Sequence, residues 1–222
     1  MALQIPPDGV TMAPVLTVLP AGTLLWRLHS DRYGPAEFNP RLAHGYFKGN
    51  RFDAMEPDGY PYLYAALEPV AALAEVFLRS REFENRTAVR MIPWAQASRY
   101  RLSAVRTAAD VTLVDLTTAE GLAAVWQDEW LVDCEEREYD KTRYWVQLIR
   151  RHSAAAQGLC WTSKRCRPRR ALQLFGDRCA PGTLVRIPEE SYRLESATDL
   201  KEVNRLLEPL RAQVSVPEGL GG

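Results

Sequence analysis

No pair among Cys134, Cys160, Cys166 and Cys179 has the two-residue spacing of a zinc knuckle, and His29, His44 and His152 are scattered. A structural metal site needs a tighter cluster, so none is expected, and the thiols read as buried groups in a reducing compartment. An excess of one charge is also lacking, since 28 basic and 28 acidic residues cancel. A chain built to grip a nucleic-acid backbone carries net positive charge or a concentrated basic face, so nucleic acid is not the default partner. No apolar run reaches membrane-spanning length, and no membrane association is expected. The first ten residues hold no basic region followed by a long apolar stretch. A signal peptide is therefore not expected, and the cytoplasm is the expected location.

Familiar catalytic loops are missing as well. The chain has no G-x-G-x-x-G after a strand, no G-x-x-x-x-G-K-[ST], no H-E-x-x-H, no G-x-S-x-G and no H-R-D. Their absence removes the ordinary nucleotide-binding and hydrolase folds and leaves open nucleotide binding on another scaffold.

What is present suffices for one hydrophobic core: 222 residues, 46% hydrophobic and 25% charged. Short apolar runs predict strands near residues 24–28, 62–66, 89–92, 100–105, 111–116, 159–163 and 171–175, with an edge strand at 185–187. Residues 15–19 form an extended piece within an irregular arm. Residues 30–58 are rich in Gly, Pro, Asn and charge and show no period, which predicts a long binding loop.

Glu68-Pro69 opens a helix, with proline tolerated in its first turn. Val70, Leu73, Ala74, Phe77 and Leu78 give that helix one apolar face, with Glu75 on its border. Thr117 and Glu120 have capping-box spacing, predicting a helix to about residue 130. Further helices are expected over 136–152 and around Leu200, Val203, Leu206, Leu207 and Leu210, followed by a frayed tail at 217–222. Strands and helices alternate imperfectly, so a mixed α+β domain is expected rather than a doubly wound sheet.

Several polar residues interrupt these apolar elements, and each has two readings. Arg27, in Leu24-Leu25-Trp26-Arg27-Leu28, is a strand arginine reaching water or a ligand-binding cation. Arg51 follows Gly49-Asn50, where flexible backbone lets a ligand approach, and is otherwise a surface loop residue. Glu75 is either a site carboxylate or the solvent-face partner of Arg79 at i+4. Ser163 closes an apolar strand and is either a turn residue or a donor. Lys164, Arg165, Arg167, Arg169 and Arg170 follow it at once. They are either a solvated hairpin tip or a rim that attracts anions.

Taken in order, Trp26-Arg27, Gly49-Asn50-Arg51-Phe52, Tyr62-Leu63-Tyr64-Ala65-Ala66, Ala71-Ala72-Leu73-Ala74-Glu75-Val76 and Gly158-Leu159-Cys160-Trp161-Thr162-Ser163 resemble the RES domain. The resemblance runs from about Thr23 to Asp177. It departs from the family where a loop glycine pair is replaced by Gly49-Asn50, a change the turn can survive because asparagine tolerates positive φ.

The resemblance implies an ADP-ribosyltransferase-like fold, a split mixed β-sheet surrounded by helices. In this division residues 1–20 are an arm, 21–190 the NAD+-binding catalytic domain, and 191–222 a C-terminal helix and tail packed on it. It implies degradation of NAD+ as substrate, with no prosthetic group. The nicotinamide–ribose bond would be cleaved by phosphorolysis, with inorganic phosphate as co-substrate, or by hydrolysis or ADP-ribosyl transfer. A non-catalytic nucleotide-binding module is the rival. The partner implied is an Xre-type antitoxin, through which any contact with nucleic acid would be indirect.

Carried over by position, Glu75 would stabilise positive charge at the anomeric carbon. Arg27 and Arg51 would hold the pyrophosphate or a phosphate. Tyr64 would wall the nicotinamide ring, and Ser163 would donate to phosphate or ribose without acting as a nucleophile.

Overall fold

A computed structural model of the chain describes residues 3–45 and 49–216, and the tail expected to fray lies outside these. Among the described residues ten strands are formed: β1 (Leu16–Leu19), β2 (Leu24–Ser30), β3 (Tyr62–Ala66), β4 (Arg90–Ile92), β5 (Tyr100–Thr107), β6 (Val111–Leu116), β7 (Gly158–Thr162), β8 (Arg170–Phe175), β9 (Leu184–Arg193) and β10 (Ala212–Val214). The helices are α1 (Pro69–Phe77), α2 (Trp94–Ala97), α3 (Ala119–Ala124), α4 (Trp130–Asp133), α5 (Tyr139–His152) and α6 (Ala197–Leu207). The fold is mixed α+β, as expected.

Among the described residues, eight strands form one sheet in the order β1-β6-β7-β8-β3-β2-β5-β9, and β10 pairs with β4 in a small parallel sheet. Only β6 and β7 run parallel in the large sheet. Most neighbours are laced by ladders of four or more residue pairs, such as the seven that join β2 to β5. Between β2 and β3 the described ladder has a single pair, Trp26 with Ala66. Beyond that pair the strands diverge, and the sheet is split there.

Side-chain alternation fixes what lies on each side of the split. Trp26, Leu28 and Ala66 pack with Leu73 and Phe77 of α1 and with Leu200 and Val203 of α6. Across the gap on the same face, Leu116, Leu159, Trp161 and Phe175 pack with Phe52 and with Trp145 and Ile149 of α5. Leu25, Leu63, Ala65, Leu172 and Leu174 form a core on the opposite face. Helix α1 contacts β2 and β5 on one side of the split and β3 and β8 on the other, so it bridges the gap.

Two local expectations need correction. The cap after β6 is Thr118, whose hydroxyl accepts from Gly121 N at 3.0 Å, while Thr117 turns back to Asp115. That helix stops at Ala124, and Trp126 takes φ 61°, so the run expected to reach residue 130 is two short helices, α3 and α4. The edge strand expected at 185–187 extends to Arg193 through a bulge opposite Ser103/Ala104.

Candidate active site

The split opens into a cleft of about 400 Å³ lined by Arg27, Arg51, Tyr64 and Glu75, among others. This is the size range of small-molecule sites. Four of the five residues singled out from the sequence thus face one cavity. The fifth, Ser163, stands directly behind it.

Arg27 shares its strand parity with Leu25 and so belongs to the face opposite α1. A continuous sheet would keep it from Glu75, and the gap lets both line the same cleft. Its strand position does not carry the head to water, since Arg27 is 6% exposed. Nη1 donates to the carbonyls of Gly34, Pro35 and Glu37 at 3.0, 3.2 and 2.6 Å, pinning the loop after β2. Burial lowers its pKa to about 10, opposed by Glu37. It remains a cation, with Nε and Nη2 outside these three bonds.

Arg51 is equally buried, which excludes the surface-loop reading. The backbone that carries it is gripped from three elements. Thr142 of α5 donates to Arg51 O at 2.5 Å, Gln173 of β8 donates to Phe52 O at 2.6 Å, and Phe52 N donates to the Tyr64 hydroxyl at 3.1 Å. The preceding turn rests on Gly49 at φ +88°, where a Cβ would lie 2.7 Å from Arg143 Nη1. Among the described residues of this turn Gly49 supplies the left-handed conformation, Asn50 does not adopt positive φ, and its side chain accepts from Arg79 at 2.7 Å. Burial disfavours the Arg51 charge, but Tyr139, Glu75 and Cys134 outweigh it and hold the guanidinium above its usual pKa.

The Tyr64 hydroxyl is therefore engaged as an acceptor. Burial, followed by Asp53 and the neighbouring tyrosines, pushes its pKa well above normal and keeps it neutral. The ring meets Trp161 edge-on at 6.3 Å and still lines the cleft.

Ser163 is 0% exposed, and its hydroxyl donates to Glu75 Oε1 at 2.5 Å. A charge-assisted bond of this length fixes the carboxylate. The donation expected toward phosphate or ribose goes to Glu75 instead. Glu75 does not pair with Arg79, which faces Glu136 at 3.6 Å and Asn50.

The basic hairpin between β7 and β8 is largely neutralised. Lys164 pairs with Glu135, Arg167 with Asp133 and Arg169 with Glu68. This weakens the anion-attracting reading and makes the segment a clip onto the end of α4 and the residue before α1.

Sequence reasoning passed over Tyr139 and Gln173. Tyr139 begins α5 and Gln173 lies mid-strand, and nothing in their spacing marks them. Only the tertiary arrangement brings them to residues 50–52. No helix among the described residues is long and apolar enough to cross a membrane.

Comparison with known families decides the assignment. The chain matches the RES domain family over residues 24–196. It belongs to that family. No curated protein matches its sequence. Its fold is similar to that of a chain in the crystal structure of the M. tuberculosis MbcT-MbcA toxin-antitoxin complex, with a TM-score of 0.53, 16% identity, and coverage of 78% of this chain and 85% of that one. This RES-domain chain therefore shares its split-sheet architecture with a solved toxin-antitoxin component.

Proposed function

We propose that this chain cleaves NAD+ at the nicotinamide–ribose bond and acts as the toxin of a toxin–antitoxin pair. The observation that carries this reading is the Ser163–Glu75 bond of 2.5 Å at a cleft that also holds two buried arginines. Family membership and the fold match support it.

The arrangement fits the chemistry. As the glycosidic bond breaks, positive charge develops at the anomeric carbon, and a preoriented carboxylate stabilises it with little reorganisation. Nicotinamide leaves as a neutral ring, so no general acid is needed. Arg27 and Arg51 offer forked donors to the pyrophosphate. Tyr64 and Trp161 wall the site against water.

Phosphate is the acceptor we favour, giving ADP-ribose-1''-phosphate. Water and a macromolecule are the alternatives. Incubating the purified protein with NAD+, with and without phosphate, and resolving products by mass separates the three. Failure to release nicotinamide in any buffer rejects the enzyme and leaves a nucleotide-binding module.

The partner we propose is an Xre-type antitoxin acting in the cytoplasm. Growth arrest on expression, relieved by a co-expressed neighbouring gene product that purifies in complex with this chain, is the expected outcome. A harmless, soluble and active protein would reject the toxin assignment.

A further inference from the structure

Arg51 sits on a loop without regular structure, yet both of its ends are tied to the first turn of α5. At the backbone end, Thr142 Oγ1 donates to Arg51 O at 2.5 Å. At the side-chain end, Nη2 donates to the Tyr139 hydroxyl at 3.3 Å, and Cζ lies 5.2 Å from the centroid of that ring, within cation–π range. Tyr139 and Thr142 are three residues apart, so they stand on one helix face.

Neither tie is loose. Thr142 is fully buried, its β-branched side chain has few rotamers, and its hydroxyl also lies 3.1 Å from Tyr139 O in the preceding turn. Tyr139 is 3% exposed. Its ring is braced by Arg79, whose Cζ lies 5.6 Å from the centroid and which is anchored by Asn50 and Glu136. The same face of α5 continues along the loop. Gln147 donates to the Met55 carbonyl at 2.8 Å, and Arg150 pairs with Asp58 at 3.1 Å. Beside the apolar face that carries Trp145 and Ile149, α5 thus buries a second face whose polar groups grip one loop. Glu75 and the Cys134 thiol already stand beside the Arg51 guanidinium. What Tyr139 adds is orientation.

We propose that Tyr139 and Thr142 are positioning residues of the reaction, the first turn of α5 holding Arg51 by its carbonyl and its guanidinium in the orientation from which it meets the dinucleotide. The assignment rests on the NAD+-cleaving reading, in which Arg51 is a cation for the pyrophosphate, and it adds the two residues that aim it.

Kinetics and a double-mutant cycle test the assignment. Tyr139→Phe keeps the ring and removes the acceptor. It should raise KM for NAD+ by about threefold to tenfold, with kcat changed less and a melting temperature within a few degrees of wild type. Thr142→Val keeps the shape and removes the donor, and should raise KM by about tenfold. Thr142→Ser, which returns the hydroxyl, should restore it. Calorimetric titration with ADP-ribose, which carries the pyrophosphate and lacks the scissile bond, should show a parallel loss of affinity. In an Arg51→Gln background, Tyr139→Phe should have no further effect, because its action passes through the guanidinium.

Additive effects in the cycle overturn the assignment and make Tyr139 a direct ligand contact or a packing residue. Lowered melting temperatures with unchanged KM in Tyr139→Phe and Thr142→Val overturn it as well and reduce the ties to loop packing. Should Thr142→Val fail to fold, Tyr139→Phe and its cycle decide alone. If the wild type releases no nicotinamide, the cleavage reading falls by itself, and the ADP-ribose titrations still decide whether α5 aims Arg51. A wild type that neither cleaves NAD+ nor binds ADP-ribose overturns both.

Discussion

Ser163 and Glu75 lie 88 residues apart in sequence and meet at 2.5 Å, the hydroxyl at the end of β7 donating to the carboxylate on α1. Ser163 is fully buried while Glu75 lines the cleft. The serine therefore acts through the glutamate. Removing each should give separable effects. Ser163→Ala should lower kcat for NAD+ cleavage by on the order of tenfold to a hundredfold, the value of a hydrogen bond to a charged group. Glu75→Gln retains an acceptor for Ser163 but loses the charge, and should lower kcat by about a hundredfold or more. Both should melt within a few degrees of wild type. Equal and near-normal rates in the two variants would remove both residues from the mechanism.

Tyr64→Phe should affect stability and binding together. The lost hydroxyl leaves Phe52 N unpaired beside Arg51. A cost of about 1–3 kcal/mol is expected, a melting shift of several degrees for a chain of this size. KM should rise because the Arg51 backbone loses one of its three grips. Unchanged stability with altered KM would instead assign the hydroxyl to ligand contact.

Gly49→Ala should destabilise the loop that carries Arg51. The residue sits at φ +88°, and the added carbon would meet Arg143 Nη1 at 2.7 Å and Ala43 Cβ at 2.9 Å. Left-handed strain alone costs about 1–2 kcal/mol. Thermal unfolding and NAD+ turnover should both fall, and a variant that melts normally would show that the loop adapts.

His29 predicts a pH dependence. It is buried at the cleft, Nδ1 faces the Ser30 carbonyl at 3.1 Å, and Nε2 meets Ser103 Oγ at 3.0 Å. Burial first, and Arg27 next, lower its pKa. Below the ordinary histidine pKa of about 6.5 the unfolded chain takes up a proton that the folded chain resists. The linkage sign is thus a stability that falls as pH drops through that value and levels off only below the lowered folded pKa. His29→Gln should flatten this part of the profile. Parallel profiles from pH 7 to 5 would show that other groups govern acid stability.

Sequence made the elements legible where one face is apolar. The period-3.6 face of α1 and the short β-rich runs gave the elements, and the resemblance carried by the order of Arg27, Arg51, Tyr64, Glu75 and Ser163 grouped residues of which four line one cleft. Partnership was not legible. Arg79 stands at i+4 from Glu75, the spacing of a helical ion pair, yet it turns to Asn50 and Glu136 because β7 brings Ser163 to the carboxylate first. Likewise, the five clustered cations read as a solvated tip or an anion-attracting rim, yet Lys164, Arg167 and Arg169 pair with Glu135, Asp133 and Glu68 from other elements. Thr118 displaced Thr117 as a cap because Asp115 takes the earlier hydroxyl at 2.6 Å. Each miss is a choice between local and distant partners that spacing does not encode.

The single pair between Trp26 and Ala66 has one more consequence. An open sheet ordinarily has two margins, but this one has four, the outer pair on β1 and β9 and an inner pair facing each other across the gap. Strand margins are where foreign chains dock by extending the ladder. Here α1 spans the inner pair and the loop pinned by Arg27 stands beside it. The gap is thus roofed by a helix and flanked by a pinned loop, which leaves a cleft of about 400 Å³, in the size range of small-molecule sites. The interruption turns two strand margins into the walls of a pocket.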